Sequence, residues 1–308
     1  MDIFLQQIIN GLTLGSIYAI VALGYTMVYG IIQLINFAHG EVVMIGAMVA
    51  FSVITLLAAN TALPPLVVVL AGTLAAIPVC MVVGLVLERF AYRPLRHAPR
   101  LAPLITAIGA SIVLQNIAMM VWSRNPIAFP QIIPNRVFMI GEATISVVQI
   151  VIIAGSIALM AALTFLVYRT RLGVAMRATS QNAKVAGLMG VDIDRVIAAT
   201  FVIGAALAAI AGVMVGTYYG IAHYTMGSLL GLKAFSAAVL GGIGNLAGAM
   251  LGGMLLGVIE ALGAGYIGDL TNNLFGSNYQ DVFAFMVLIA VLVFRPSGLL
   301  GERVGDRA

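Results

Sequence analysis

The sequence predicts an all-α, polytopic helical membrane protein with about 8–10 transmembrane or broken helices. Of its 308 residues, 62% are apolar and only 8% are charged, against about 25% charged in an average soluble domain. The mean hydropathy is +1.11. The apolar residues form continuous runs near the roughly 20 residues that a spanning helix needs. This composition excludes water-soluble enzymes, disordered tails, nucleic-acid modules and disulfide scaffolds.

The predicted spans are continuous apolar runs, and only helices fit them. A transmembrane barrel would instead show segments of about 10 residues in which lipid-facing and lumen-facing side chains alternate. In chain order the runs are 5–35, 42–59, 65–87, 101–122, 145–167, 196–221, 229–266 and 282–300.

Three connections hold most of the basic residues, and the positive-inside bias places such connections in the cytoplasm. The stretches 123–144 and 265–281 are then predicted to lie outside. The basic groups are Arg89, Arg93, Arg96 and Arg100; then Arg169, Arg171, Arg177, Lys184 and Arg195; and finally Arg295, Arg303 and Arg307.

Two of the apolar runs are predicted to be interrupted. The chain must cross the membrane an even number of times between the second basic connection and the basic tail, yet three runs lie between them. Run 229–266 is therefore predicted to be two helices, divided at Gly241-Gly-Ile-Gly-Asn245. A similar interruption is predicted within 24–46. One glycine-broken segment in each half points to a two-fold internal repeat with a transport pathway at the breaks.

The sequence predicts no catalytic residue and no metal site. The three histidines are far apart, Cys80 is the only cysteine, and there is neither a nucleophile elbow nor a phosphate-binding loop. The chain is therefore not expected to bind ATP itself.

Polar groups inside the spans are candidates for a solute pathway. A charge at mid-bilayer costs at least about 3 kcal/mol and usually faces the interior of the bundle. For Glu41 the alternative is an interfacial helix cap. For Gln115 and Asn116, in the run 101–122, the alternative is that their amides hold helices together by hydrogen bonds. The pathway candidates are Asn36, His39, Glu41, Gln115 and Asn116.

Two further charges lie on the two arms of the doubled run. Lys233 and Glu260 are predicted to form a structural ion pair across the hairpin, with a proton relay as the alternative. At the ends of spans, Tyr92, Trp122 and Tyr168 are predicted to be interfacial anchors.

The longest cytoplasmic connection, 168–195, contains the pattern of a short amphipathic helix at 176–190. Such a helix between two spans is typical of a docking element for a cytoplasmic partner, although a helix on the lipid surface or a solvated basic loop fits equally well. Gly190 is the predicted stop. The apolar positions are Ala183, Val185, Ala186, Leu188 and Met189, and the opposing polar positions are Arg177, Gln181 and Lys184.

Several motifs closely resemble the branched-chain amino-acid permease family, the LivH-type subunit of bacterial ABC importers. The strongest are Gly24-Tyr-Thr-Met-Val-Tyr-Gly30 and Ile35-Asn-Phe-Ala-His-Gly-Glu41. The likeness continues through 91–111, 176–190, 231–245 and Arg295-Pro-Ser-Gly298, and so covers essentially the whole chain.

The resemblance implies one transmembrane permease domain over residues 1–308, in the bacterial inner membrane, moving leucine, isoleucine or valine inward by alternating access. The implied partners are a homologous second permease, two cytoplasmic ATPases that bind ATP, a periplasmic amino-acid-binding protein and membrane lipids, but no nucleic acid; no cofactor is expected in this chain. The amphipathic helix becomes the coupling helix, with Arg177, Gln181, Ala183, Lys184, Ala186, Leu188, Met189 and Gly190 on the ATPase.

Three alternatives stay open at this point. Urea and short-amide permeases are similar in several of these segments, so the solute is not decided. An ion-coupled secondary transporter or a channel would use Lys233 and Glu260 but leave the docking helix without a role. A membrane scaffold that transports nothing would leave the two predicted interruptions of the apolar runs without a role.

Overall fold

The structure is a computed structural model that describes residues 2–96, 98–99, 101–134, 136–270 and 279–301. Within these ranges the chain forms ten α-helices and two small antiparallel pairs of strands, with no closed sheet. The predicted all-α class is confirmed. Of the predicted cytoplasmic cations, Arg100, Arg303 and Arg307 lie outside the described residues, as do residues 271–278 of the predicted outside stretch 265–281.

The elements follow in chain order. The helices are α1 Asp2–Ile32, α2 His39–Asn60, α3 Pro65–Val86, α4 Leu101–Val121, α5 Val147–Arg169, α6 Arg171–Leu188, α7 Ile193–Tyr219, α8 Met226–Gly241, α9 Leu246–Leu270 and α10 Gln280–Phe294. A π-helical turn, Leu87–Tyr92, and a 3-10 turn, Arg93–Leu95, continue α3. The strands are β1 Ile127–Ala128, which pairs with β4 Ile221–Ala222, and the hairpin of β2 Val137–Ile140 with β3 Ala143–Ser146.

Seven of the described helices are long and apolar enough to cross a membrane. Helices α8 and α10 are also apolar but have only 16 and 15 residues. At about 1.5 Å per residue, neither crosses the roughly 30 Å hydrocarbon core alone. The helix count agrees with the sequence prediction.

Both predicted interruptions are present. Run 229–266 divides into α8 and α9 at residues 242–245, where Gly242 and Gly244 take φ angles of +107° and +95°. The earlier interruption falls at 33–38, because Gln33 takes a φ of +53° and ends α1. Gly24 and Gly30 lie inside α1 and do not break it, so the glycine explanation for this first interruption was wrong. The two-fold internal repeat stays a prediction.

The chain folds into two compact units. One unit comprises the described parts of 1–26, 135–160 and 233–308, and the other those of 27–134 and 161–232. The chain passes from one unit to the other four times, within α1, α5 and α8 and at residues 134–135.

In the unit of 27–134 and 161–232, helices α2, α3 and α7 pack closely together. A Cβ on Gly212 would lie 2.1 Å from the carbonyl oxygen of Val43, and one on Gly46 would lie 2.6 Å from the Cα of Ala209. Helices α2 and α7 therefore touch through their backbones, as small-residue membrane packing predicts.

In the other unit, the segment after α10 folds back on the C-terminal end of α8. The N–H of Leu299 donates to the carbonyl of Leu240, and the N–H of Leu300 donates to that of Gly241, each at 2.9 Å. The Asn245 amide donates to the Leu300 carbonyl at 2.8 Å. The two backbone bonds satisfy terminal carbonyl groups of α8 that have no partner within the helix.

Candidate functional site

A buried carboxylate lies where three helices of one unit meet. Glu41 is in the first turn of α2 and only 1% exposed. Its Oε1 accepts hydrogen bonds from Gln115 Nε2 at 2.7 Å, Ser228 Oγ at 3.0 Å and Ser111 Oγ at 3.1 Å. Gln115 Nε2 also lies 2.6 Å from Ser228 Oγ. We call these four residues the Glu41 cluster; they join α2, α4 and α8.

The starts of α2 and α8 are in backbone contact beside this cluster. A Cβ on Gly40 would lie 2.2 Å from the carbonyl oxygen of Gly227, and a Cβ on Gly227 would lie 2.6 Å from Glu41 Oε2. The partial positive charge at a helix N-terminus favours a nearby carboxylate. Among the described residues, Glu41 Oε2 has no hydrogen-bond partner. One oxygen of the Glu41 carboxylate is therefore left without a hydrogen bond where the start of α2 meets the start of α8.

The other pathway candidates lie in different surroundings. Asn36 Oδ1 accepts from the N–H of Ala38 at 3.2 Å and from the hydroxyl of Tyr92 at 3.0 Å, so this amide braces the backbone of the break. His39 is buried at the first position of α2. Asn116 is exposed and donates to Ile112 on its own helix, and it does not join the Glu41 cluster.

The two charges of the doubled run are in contact in the other unit. Lys233 Nζ lies 2.7 Å from Glu260 Oε1 and 2.6 Å from Asp281 Oδ1. The hydroxyl of Tyr18 donates to Glu260 Oε2 at 2.9 Å. These four residues, the Lys233 cluster, connect α1, α8, α9 and α10 through direct polar contacts, which is the geometry of a structural ion pair.

The cytoplasmic helix differs from its prediction. Asn182 lies inside α6 with an extended backbone, φ −158° and ψ 98°, so α6 is two helices in succession. The Asn182 Oδ1 accepts from the N–H of Val185 at 3.0 Å and thus caps the second helix. The single helix predicted over 176–190 was wrong on this point. We call residues 183–190 the docking segment.

The docking segment ends as predicted and presents a narrower apolar face than predicted. Gly190 takes a φ of +88°, and the N–H of Val191 donates to the carbonyl of Ala186, which closes a Schellman turn. Leu188 and Met189 are 82% and 81% exposed, whereas Ala186 is only 4% exposed. Ala186 is thus no surface residue of this chain, which corrects its assignment to a docking face.

The polar positions of the predicted docking helix lie on both sides of the kink. Gln181, Ala183 and Lys184 are exposed. Arg177, before the kink, lies with its guanidinium carbon 5.3 Å from the centre of the Tyr168 ring. Arg177 therefore has a partner within its own unit.

The similarity to known proteins extends over nearly the whole chain. The family model for the branched-chain amino acid transport system / permease component matches residues 7–292. The chain belongs to this permease family.

Relatives of the permease agree with this assignment. It is 50% identical over 304 residues to the high-affinity branched-chain amino acid transport system permease protein BraD of Pseudomonas aeruginosa, covering 97% of this chain and 96% of BraD. It is 46% identical, with the same coverage, to LivH of Escherichia coli K12. A probable LivH of Methanocaldococcus jannaschii is 26% identical over 307 residues, covering 97% of this chain and 94% of that one. No solved structure gave a significant match.

These findings confirm the family resemblance found in the sequence. With its spanning helices and its relatives, the permease is a multi-pass protein of the inner membrane. It is a transport subunit, as its relatives are named.

Some site residues of the permease were missed from the sequence. Ser111 is four residues before Gln115 and so on the same helical face, a spacing that could have signalled it. Ser228 and Asp281 stand at helix starts, where polar residues are ordinary, and gave no signal. Tyr92 is buried rather than interfacial, so its assignment as an anchor was wrong.

Proposed function

We propose that this permease is the membrane-spanning subunit of an ABC importer that carries leucine, isoleucine and valine into the cell by alternating access. The observation that carries this proposal is the near full-length similarity, at 46–50% identity, to relatives named high-affinity branched-chain amino acid permeases. Urea and short amides remain alternatives only by resemblance, and no relative reported above bears their name.

The energy for transport comes, in this proposal, from two cytoplasmic ATPases that bind ATP. A homologous second permease completes the pathway, and a periplasmic binding protein delivers the amino acid. The exposed apolar side chains of Val185, Leu188 and Met189 support an ATPase contact, because burying each on a partner contributes about 1.5–3 kcal/mol. The permease itself needs no cofactor and catalyses no reaction.

The amino acid passes the Glu41 cluster, where Glu41 Oε2 receives its ammonium group. An ionised carboxylate accepts about four hydrogen bonds, and three donors contact this one, all on Oε1. A buried carboxylate beside polar neutral groups suits an ammonium ion, since a charge pair is strengthened where water is excluded. Because Glu41 is 1% exposed, the solute reaches it only when α2, α4 and α8 separate. Asn36 and His39 keep the break in place, and Asn116 has no direct role.

Uptake of labelled leucine by the complete importer in proteoliposomes tests this site. Glu41→Gln keeps the shape and loses the charge, so we expect the KM for binding-protein-delivered leucine to rise, or the rate to fall, by about tenfold or more, as when a charged partner is lost. Asn116→Ala, outside the cluster, is the matched control and should transport normally. Unchanged kinetics in Glu41→Gln would remove Glu41 from the pathway while leaving the importer assignment intact.

A further inference from the structure

The end of α3 carries a fully buried carboxylate that two arginines neutralise. Glu88 is 0% exposed and lies in the π-helical turn Leu87–Tyr92. Its Oε1 accepts from Arg93 Nε at 3.2 Å and its Oε2 from Arg93 Nη2 at 3.0 Å, and Arg96 Nη2 forms an ion pair with Oε1. Removing either partner of a buried ion pair is strongly destabilising, because it leaves the other charge buried without compensation. The π-helical turn and the basic connection after it are therefore locked together.

The same two arginines also contact the helix that follows the docking segment. Arg96 Nη1 donates to Asp194 Oδ1, and Arg93 Nη1 lies 3.8 Å from Asp194 Oδ2. Asp194 is in the first turn of α7. Only residues 191–193 separate it from Gly190, the last residue of the docking segment, and Val191 is hydrogen-bonded to Ala186 within that segment. A stretch of only three residues therefore links the docking segment to the residue that contacts the arginine pair.

The other end of the π-helical turn contacts the break between α1 and α2. The Tyr92 hydroxyl lies 3.0 Å from Asn36 Oδ1 and 3.3 Å from the Ile35 carbonyl. Its ring packs on Phe201 of α7 with centroids 5.1 Å apart. Tyr92 belongs to one buried apolar cluster with Val28 of α1 and Phe201 of α7. This packed core holds both Tyr92 and the end of α1 in place.

We propose that the π-helical turn, with Arg93 and Arg96, is a mechanical joint that transmits motion of the docking segment to the break that precedes α2. The proposal rests on the proposed function, because it takes the docking segment to be the ATPase contact. The route runs along the chain from the docking segment to Asp194, and from Asp194 through side-chain contacts to the arginine pair and Glu88. It continues along the π-helical turn to Tyr92 and by a hydrogen bond to Asn36, all within one unit. The first turn of α2, beyond Asn36, carries Glu41. Asp194, Glu88 and Tyr92 are thus positioning residues for the Glu41 cluster, and π-helical turns inside α-helices are often found at functional sites.

The test measures two quantities at once in the complete importer in proteoliposomes: leucine uptake and ATP hydrolysis. In Tyr92→Phe and in Asp194→Asn, ATP hydrolysis should continue while leucine moved per ATP falls about three- to tenfold, the factor expected when one hydrogen bond is lost. Tyr29→Phe on α1 and Arg195→Gln, whose ion pair is with Asp192 of its own helix turn, are the matched controls. Asp194→Glu should restore the ratio.

A purely structural role would leave a different signature. It would lower uptake and hydrolysis together, as the amount of folded complex falls, and an unchanged ratio in both variants overturns the joint. The double variant Tyr92→Phe/Asp194→Asn adds a second criterion, because residues in one route give less than additive losses. Fully additive losses also count against the joint. Should the wild-type complex show no ATP-dependent uptake, the proposed function itself fails, and that result is distinct from normal coupling in the variants.

Discussion

The two buried charged clusters of this permease differ in what surrounds the charge. Lys233 lies between the carboxylates of Glu260 and Asp281, so opposite charges meet at direct contact distance. Around Glu41 the hydrogen-bond donors are neutral, and no cation pairs with it among the described residues. A paired cluster resists separation, whereas a carboxylate without a cation is ready to receive one. In our proposal, therefore, Lys233 contributes to stability and Glu41 receives the ammonium group of the solute.

Substitution of Lys233 separates these two roles by experiment. Lys233→Met leaves Glu260 buried without its cation, so we expect the free energy of unfolding to fall by about 3–5 kcal/mol. Lys233→Met/Glu260→Gln, which removes the buried ion pair and leaves only the carboxylate of the partly exposed Asp281, should recover much of this loss. Thermal unfolding of the purified permease measures the effect, and Lys184→Met, at an exposed lysine of the docking segment, is the control. A Lys233→Met permease of normal stability that has lost all uptake would favour the proton relay instead.

The sequence reveals a site residue when its type is unusual for its place. Glu41, Lys233 and Glu260 are charges inside apolar runs, and this rarity alone marks them. Serines are common in spans, so Ser111 and Ser228 could not be separated from ordinary packing residues. The position of Tyr92 at a span end is what an interfacial anchor would have, and only the packed structure reveals its burial.

At the scale of elements, the length of an apolar run and the even number of crossings between basic connections predict its division better than the positions of glycines do. The division of run 229–266 was predicted from its length and from the even number of crossings. Helices α8 and α9 confirm the division, while the number of crossings stays a prediction. The first break is caused by the backbone of Gln33, a residue type with no such signal. The kink at Asn182 escapes prediction because one asparagine does not disturb the apolar periodicity around it.

In the docking segment that follows the kink at Asn182, some side chains are exposed and others buried, and cross-linking can test this difference. Because Leu188 and Met189 are exposed and Ala186 is buried, a cysteine at Leu188 or Met189 should cross-link to the ATPase, and one at Ala186 should not. Cys80 is buried within α3 and gives little background. Leu188→Ser/Met189→Ser should weaken ATPase binding by about tenfold or more, given the apolar area lost. Affinity of the detergent-purified permease for the ATPase measures this. Equal cross-linking at all three positions, or unchanged affinity, would contradict the docking role.

At the scale of the whole molecule, our proposal places the source of free energy for transport outside this chain. Moving a two-state protein from 1:99 to 99:1 in favour of the other state requires about 5.5 kcal/mol of differential binding. In our proposal ATP binding to the partner ATPases supplies it through the docking segment, and the loaded binding protein acts from the opposite side. The isolated permease has neither of these inputs, so we expect nothing to drive it from one of its two states to the other.

The isolated permease in proteoliposomes is therefore expected to accumulate no leucine above the outside concentration, with or without a proton gradient. Adding both ATPases, the second permease, the binding protein and ATP should start accumulation, and an ATPase unable to hydrolyse ATP should stop it again. Retention of a trapped dye is the control that shows that the proteoliposome membrane is intact. Accumulation by the permease alone that collapses with an uncoupler would show that ions drive it, because only an ion gradient is then present. In that case the docking segment would have another partner, and the free energy would have to enter through charged groups in the spans such as Lys233 and Glu260.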